Sequence, residues 1–242
     1  MRLLIISDIH SNVTALEAVE RDAGSVDGIY CAGDYVDYGT NPHEVIRWVK
    51  DRGVRCVIGN HDRYLLEIAE TDETEKRYGT NQWKWVHDNI EKMLPEDFKF
   101  LKSLPIHLRF SADGIEYIMR HQMQDNSYAM PETVEQFDTC WRKWGGEEAD
   151  EKRLVFGHIH RRCVHQLDDH KLWLNPGSVS YRRPDENDKR AHYMLITDGK
   201  ITFHAVAYDR SNMYAETLEY EAKGIMAEDQ IKAAKFFFGP TE

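Results

Sequence analysis

Three short apolar runs, each ending in a cluster of polar residues, recur at a constant interval in the first sixty residues. Leu3 to Ile6 leads into Ser7-Asp8-Ile9-His10, Gly28 to Cys31 into Gly33-Asp34-Tyr35-Val36-Asp37, and Val54 to Ile58 into Gly59-Asn60-His61-Asp62. Asp8, Asp34 and Asn60 are spaced 26 residues apart. The segments between the runs read as helices. Asn12 to Ala23 has Asn12 as its N-cap and Ala15, Leu16 and Val19 on one face, while Asn41-Pro42 opens a second helix with Val45, Ile46 and Val49 as its apolar stripe. A β-α-β-α-β run predicts parallel strands with right-handed crossovers. The three polar clusters then emerge at one edge of one sheet, the edge at which open α/β sheets bind ligands.

Downstream, the pattern changes. From Arg63 to Leu104 the chain reads as helical and polar-rich, with Pro95 starting its last helix. Ile106 to Phe110 and Ile115 to Arg120 flank Ala112-Asp113-Gly114, a hairpin signal. A helix from Pro131 to Trp144 and a strand from Leu154 to Phe156 follow. Val164 to Leu167 and Leu172 to Leu174 then flank Asp168-Asp169, and Tyr193 to Thr197 and Ile201 to Ala207 flank Asp198-Gly199-Lys200. No linker-like stretch separates the halves, so residues 1–242 read as one domain. Residues 211–242 form a C-terminal extension expected to be helical, chiefly over Ala227 to Phe238.

The polar clusters have the composition of a metal site. Asp8 and His10 are two residues apart and on extended backbone share a side. Gly157-His158-Ile159-His160 repeats that spacing after a predicted strand, and His121 follows another. Carboxylates, imidazoles and one amide suit manganese, iron or zinc better than calcium or magnesium, which prefer oxygen shells. Singly, each residue has an ordinary explanation: a histidine at a strand end usually caps it, and Asp34 can brace a glycine-rich turn. His43, His87, His107, His165, His170, His192 and His204 join no such cluster and read as ordinary polar residues, and Trp83 and Trp85 read as core.

Charge and cysteines restrict the setting. A formal net charge of −11 repels nucleic-acid backbones and anionic membranes. Any phosphate ligand must therefore be attracted locally, which bound divalent cations do. The Leu3 to Ile6 run is too short to span a bilayer or to serve as a signal peptide. Cys31, Cys56, Cys140 and Cys163 form no C-x-x-C pair and no zinc-finger spacing, so they are expected as reduced thiols in a cytoplasmic protein.

The succession D-x-H, G-D-x-x-D-x-G, G-N-H-D, a single His and G-H-x-H, spread over residues 8 to 160, resembles the calcineurin-like metallophosphoesterases. Asn175-Pro176-Gly177-Ser178 resembles the N-P-G-S loop of their small bacterial and archaeal phosphodiesterase branch. The resemblance implies an α/β fold: a four-layer α-β-β-α sandwich of two mixed β-sheets flanked by helices. It also implies a dinuclear site. Asp8, His10 and His160 would bind the first metal, Asn60, His121 and His158 the second, and Asp34 would bridge them. His61 matches the general acid and Asp37 the carboxylate that orients it. Asn12, Tyr38 and Arg161 are candidates for substrate contact.

Two departures stand out. Tyr38 occupies the position at which the protein serine/threonine phosphatase branch carries a phosphate-gripping arginine, so a bidentate clamp is missing there. Gln122 follows His121 where many relatives have glycine. The implied activity is hydrolysis of phosphate esters or anhydrides of small nucleotide-like substrates, a phosphodiester or dinucleoside polyphosphate first and a phosphomonoester second. A non-catalytic scaffold of the same fold is the rival, and the complete ligand set with His61 weighs against it. The sequence assigns no oligomeric partner.

Overall fold

In the computed structural model, residues 1–71, 83–125, 127–181, 186–224 and 226–240 are described. The first half gives β1 (Arg2–Ile6), α1 (Val13–Ala23), β2 (Gly28–Cys31), α2 (Pro42–Asp51), β3 (Arg55–Cys56), α3 (Asn60–Glu70), α4 (Trp85–Lys92) and α5 (Pro95–Ser103). The second gives β4 (His107–Ala112), β5 (Ile115–Arg120), α6 (Val134–Lys143), β6 (Lys152–Val155), β7 (Arg162–Gln166), β8 (Lys171–Pro176), β9 (Ala191–Thr197), β10 (Lys200–Val206), α7 (Ser211–Lys223) and α8 (Glu228–Phe238).

The predicted parallel run is present, with β1 beside β2 and β2 beside β3. Asn12 caps α1 by accepting the Ala15 N–H at 3.0 Å, and Pro42 occupies the first turn of α2. The hairpins expected downstream also form, but two sheets share them. β9 and β10 extend the first sheet to the order β10-β9-β1-β2-β3, and the others build a second, β4-β5-β6-β8-β7. Within the second sheet β5, β6 and β8 are parallel, with antiparallel β4 and β7 at its edges.

Strand alternation separates the layers. Leu3 and Ile5 of β1 and Met194 and Ile196 of β9 point between the sheets, meeting Tyr117, Met119, Val155 and Leu174. Leu4, Ile6, Tyr193 and Leu195 point the other way, onto Leu16, Val19, Val45 and Ile46 of α1 and α2. The outer face of the second sheet, with Ile118, Leu154 and Trp173, is covered by Phe137 and Trp141 of α6. These are the four layers α-β-β-α. A one-residue slip in β1 would exchange its two apolar faces, so its register is firmly set.

Three boundaries differ from expectation. β3 is two residues long because the Ile58 N–H bonds to the Pro105 carbonyl at 2.9 Å and Asn60 already starts α3. α6 begins at Val134, capped by Thr133, whose hydroxyl accepts the Gln136 N–H at 3.2 Å. The helical stretch after Arg63 resolves into α3, α4 and α5, with residues 72–82 outside the described set. The extension contains α7 as well as α8. Among α7's described residues only Met213 and Thr217 are buried, so its sequence lacks a clear apolar stripe. All four cysteines are free. Among the described residues, no helix is long and apolar enough to cross a membrane.

Candidate metal centre

The carboxyl ends of β1, β2 and β3 and those of β5, β6 and β8 open onto one edge of the sandwich. Backbone bonds tie their loops together: Asp8 N–H to the Gly33 carbonyl at 2.9 Å, Ser180 N–H to the Asp8 carbonyl at 3.1 Å, and Gly157 N–H to the His121 carbonyl at 3.1 Å. Eleven non-glycine residues among those described have positive φ, and two of these, Asp113 and Asp198, lie in hairpin turns. The other nine gather at this edge and include Asp8, His10, Asp34, Asp37, Tyr38, His158 and His160. Side chains disfavour that backbone region, and such residues persist only where the surroundings hold them. Two glycines allow the close approach. A β-carbon on Gly59 would collide with the Asp34 carboxylate, and one on Gly157 with the Ser7 hydroxyl.

Asp8, His10, Asp34 and His160 offer ligand atoms that all lie within 4.8 Å of one another. His160 Nε2 is 3.0 Å from Asp8 Oδ1 and 3.4 Å from His10 Nε2. Across Asp34, His121 Nε2 lies 3.1 Å from Asp34 Oδ2 and 2.9 Å from Asn60 Oδ1. The His158 ring centroid is 5.4 Å from that of His121.

For His10 and His121 the Nδ1 side of the ring has a partner on its outer side. His10 Nδ1 donates to the Val36 carbonyl at 3.1 Å and His121 Nδ1 to the Ala32 carbonyl at 2.7 Å. In the neutral tautomers this leaves bare Nε2 lone pairs turned toward the centre. His10 Nε2 thus faces another imidazole, and His121 Nε2 faces two oxygens that cannot donate. Asp34 Oδ2 is buried with no hydrogen-bond partner among the described residues. Converging acceptors without donors are costly to bury unless a cation lies among them, so the residues present fit metal ions.

For His10 and His158 the ionisation pattern agrees. Burial and the nearby His61 push His10 down to about 4, and burial and His121 push His158 down to about 4, so both remain neutral and able to ligate. Burial also disfavours charge on His121, but the Asp34 carboxylate outweighs it and raises His121 to about 9, so this ring differs from the other two: its Nε2 must release a proton before it can ligate. In spite of its own burial, Asp34 is held well below the usual carboxylate range by His121 and His61.

His61 stands in the first turn of α3, its N–H donating to Asp34 Oδ1 at 2.9 Å and its Nδ1 to Asp37 Oδ2 at 2.8 Å. Burial opposes its charge, but Asp34 and then Asp37 prevail and raise it to about 9. With Nδ1 committed to Asp37, Nε2 is the nitrogen left to serve the site.

Two supporting residues have no role assigned by the sequence reading. Asp62 is fully buried, and its carboxylate accepts the N–H groups of Asp34 at 3.0 Å, Tyr35 at 2.8 Å, Val36 at 3.3 Å and Gly59 at 2.8 Å. It fastens the Asp34 loop to the Asn60 loop, and its presence in G-N-H-D is the only sequence signal for this. Asn89 of α4 accepts the Asp37 N–H at 2.8 Å and donates to the Gly39 carbonyl at 2.7 Å, with no motif to announce it. In the N-P-G-S loop, Asn175 donates to the Gly157 carbonyl at 2.6 Å and Ser178 to the Asp8 carbonyl at 2.9 Å.

The remaining candidates separate. Asn12 is buried and engaged within the fold, capping α1 and donating to Ser180 Oγ at 2.8 Å and Tyr208 Oη at 3.1 Å. Tyr35, the neighbour of Asp34 and not one of these candidates, belongs to the core, its hydroxyl donating to the Val57 carbonyl at 3.1 Å. Tyr38 borders the centre, its ring 5.1 Å from His10 and 4.8 Å from His61. Arg161 is exposed beside His160. Gln122 places its amide nitrogen 3.0 Å from His158 Nε2, so this residue contacts a proposed ligand directly.

Residues 1–198 match the calcineurin-like phosphoesterase superfamily domain. An uncharacterized protein of Methanocaldococcus jannaschii is 30% identical over 236 residues, covering 90% of this chain and 92% of that protein. A symmetrical bis(5'-nucleosyl)-tetraphosphatase of Citrobacter koseri is 39% identical over 74 residues, 28% of this chain and 26% of that enzyme. The crystal structure of a metallophosphoesterase from Sphaerobacter thermophilus has the same fold, with a TM-score of 0.72 at 24% identity over 98% of this chain and 99% of that one. The sandwich, the acceptors gathered at its edge and the family match agree: the chain belongs to the calcineurin-like phosphoesterase superfamily and is a phosphoesterase, a hydrolase.

Proposed function

We propose that this protein is a dinuclear metal-dependent phosphoesterase that hydrolyses small nucleotide-like phosphodiesters or dinucleoside polyphosphates. The observation that carries the reading is the ring of acceptors facing one another across Asp34. Asp8, His10 and His160 would hold one ion and Asn60, His121 and His158 the other, with Asp34 shared. The mixture of imidazole, carboxylate and amide favours manganese, iron or zinc. Bound there, such ions supply Lewis acidity toward phosphate oxygens and an activated water at neutral pH. His61 provides the proton for the departing oxygen, and Asp37 keeps the ring oriented and charged. Tyr38 and Arg161 border the substrate, while Asn12 serves the fold. The stretch of 39% identity to a dinucleoside tetraphosphatase supports an anhydride or diester of nucleotide type, although it covers only 28% of the chain.

Metal analysis together with a substrate panel tests this. About two transition-metal ions per chain are expected, with turnover abolished by a strong chelator and restored by manganese. The panel comprises phosphomonoesters, cyclic nucleotides and dinucleoside polyphosphates. A single magnesium ion, or activity indifferent to chelation, would end the dinuclear reading.

A further inference from the structure

Helices α7 and α8 lie beyond residue 198, where the family match ends, yet their core reaches the metal centre. Trp85, Met213, Ile231, Ala234 and Phe237 form a buried cluster against which Tyr38 and Tyr181 pack. Phe237 is 1% exposed, and its ring centroid lies 5.7 Å from that of Tyr181. Tyr181 stacks on Tyr38 at 4.0 Å with the planes 6° apart. Tyr38 meets His61 at 4.8 Å and His10 at 5.1 Å. Both tyrosines have left-handed backbone, with φ of 59° for Tyr38 and 48° for Tyr181, so each ring projects from a constrained position. The helix pair is itself anchored: Arg210 Nη1 donates to the Phe237 carbonyl at 2.9 Å, and the Ala227 N–H to the Trp83 carbonyl at 2.8 Å.

A ring with one face covered by a parallel neighbour cannot swing aside without breaking the stack. Tyr38 therefore acts as a fixed partition beside His61, and its fixity originates in a helix distant in sequence. We infer that the α7–α8 pair is a specificity element of the active site, in which Phe237, through Tyr181, holds Tyr38 as a wall that favours a slim group over a broad one next to the phosphate. Slim here means a phosphoanhydride chain or a primary alkoxide; an aryl ring attached directly to phosphorus or to the ester oxygen meets the Tyr38 ring. The inference rests on the proposal that the centre is a phosphoesterase site. Phe237 is a positioning residue in it, acting through Tyr181 and Tyr38, and Tyr181 also borders His10 directly, with ring centroids 6.0 Å apart.

The test is a ratio of affinities, measured by calorimetry on the manganese-loaded full-length protein with inorganic phosphate and phenylphosphonate as probes. In Phe237→Leu and Tyr181→Ala, phenylphosphonate should tighten relative to phosphate by about 10-fold, the lower end for one altered pocket contact, with metal content unchanged. Tyr181→Phe keeps the stacked ring and should retain the parent ratio. Phe237→Leu is the mild substitution and decides the matter if Tyr181→Ala fails to fold. A parent-like ratio in folded Phe237→Leu overturns the inference, as does a shifted ratio in Tyr181→Phe. Because the ratio is read without turnover, an inert enzyme in the substrate panel would defeat the phosphoesterase reading and leave this result to stand or fall separately.

Discussion

Asp62→Asn is the substitution whose cost can be worked most directly from the structure. The side-chain volume barely changes, but one of two acceptor oxygens becomes a donor. Asp62 Oδ2 accepts from Asp34 and Gly59, and Oδ1 accepts from Tyr35 and Val36. Whichever way the new amide turns, its oxygen satisfies one pair and its NH2 group opposes the other. Two buried backbone N–H groups lose their acceptor, at about 1–3 kcal/mol each, so a loss of about 4 kcal/mol is expected. For a chain of this length each kcal/mol moves Tm by about 2–4 °C, which predicts a drop of about 8–16 °C. The same amides anchor the loops bearing Asp34 and Asn60, so metal retention should fall as well. Differential scanning calorimetry with metal analysis on the same samples reads both effects. A Tm within about 2 °C of the parent and undiminished metal content would refute the view that Asp62 holds these loops together.

Other expectations concern the ligands and the proton donor. His61→Ala should keep its metals and lose about 10²–10⁴ in rate on esters with alkyl or ribose leaving groups, but much less on nitrophenyl esters, whose leaving group departs unaided; equal losses on both would make His61 a phosphate-positioning residue. Asp34→Asn should deplete both metals together while Asn60→Ala depletes mainly one, and an Asp34→Asn protein with full metal content and normal turnover would exclude the bridging role. Phosphoserine peptides should be poorer substrates than nucleotide-type esters because Tyr38 offers no guanidinium, and a side-by-side kcat/KM comparison favouring the peptides would contradict this.

The loops that carry the candidate ligands are legible in the sequence because their placement follows from local rules. A strand, a helix and another parallel strand repeat at the interval from Asp8 to Asp34 to Asn60, and each repeat delivers its polar cluster to the same edge. The four layers come from the family resemblance; the unbroken apolar run Leu3 to Ile6 fits a strand covered on both faces, and the structure turns Leu3 and Ile5 to one side and Leu4 and Ile6 to the other. Asp62 is different: four amides from two loops converge on it, and that convergence exists only once the loops have met. Asn12 shows the reverse, a residue beside the motif whose polar atoms are engaged by Ser180 and Tyr208, more than 160 positions away. The link from Phe237 to Tyr38 likewise depends on packing between α8 and the Asp34 loop, for which no short-range pattern exists. Helix α7 is hard to read because it buries so little apolar surface.

The crowding of left-handed residues at the edge with the candidate metal centre has a consequence for how such a protein can change. Each of the nine non-glycine residues held there forfeits about 1–3 kcal/mol relative to ordinary backbone, while the net stability of a whole domain is about 5–15 kcal/mol. The surrounding sandwich thus maintains the site against a persistent tendency to relax. Substituting glycine at such a position, as in His158→Gly, removes a candidate ligand and a conformational penalty in the same step. Activity and robustness pull in opposite directions at these positions, and a lineage released from the need for hydrolysis would find that many of its inactivating changes strengthen the fold.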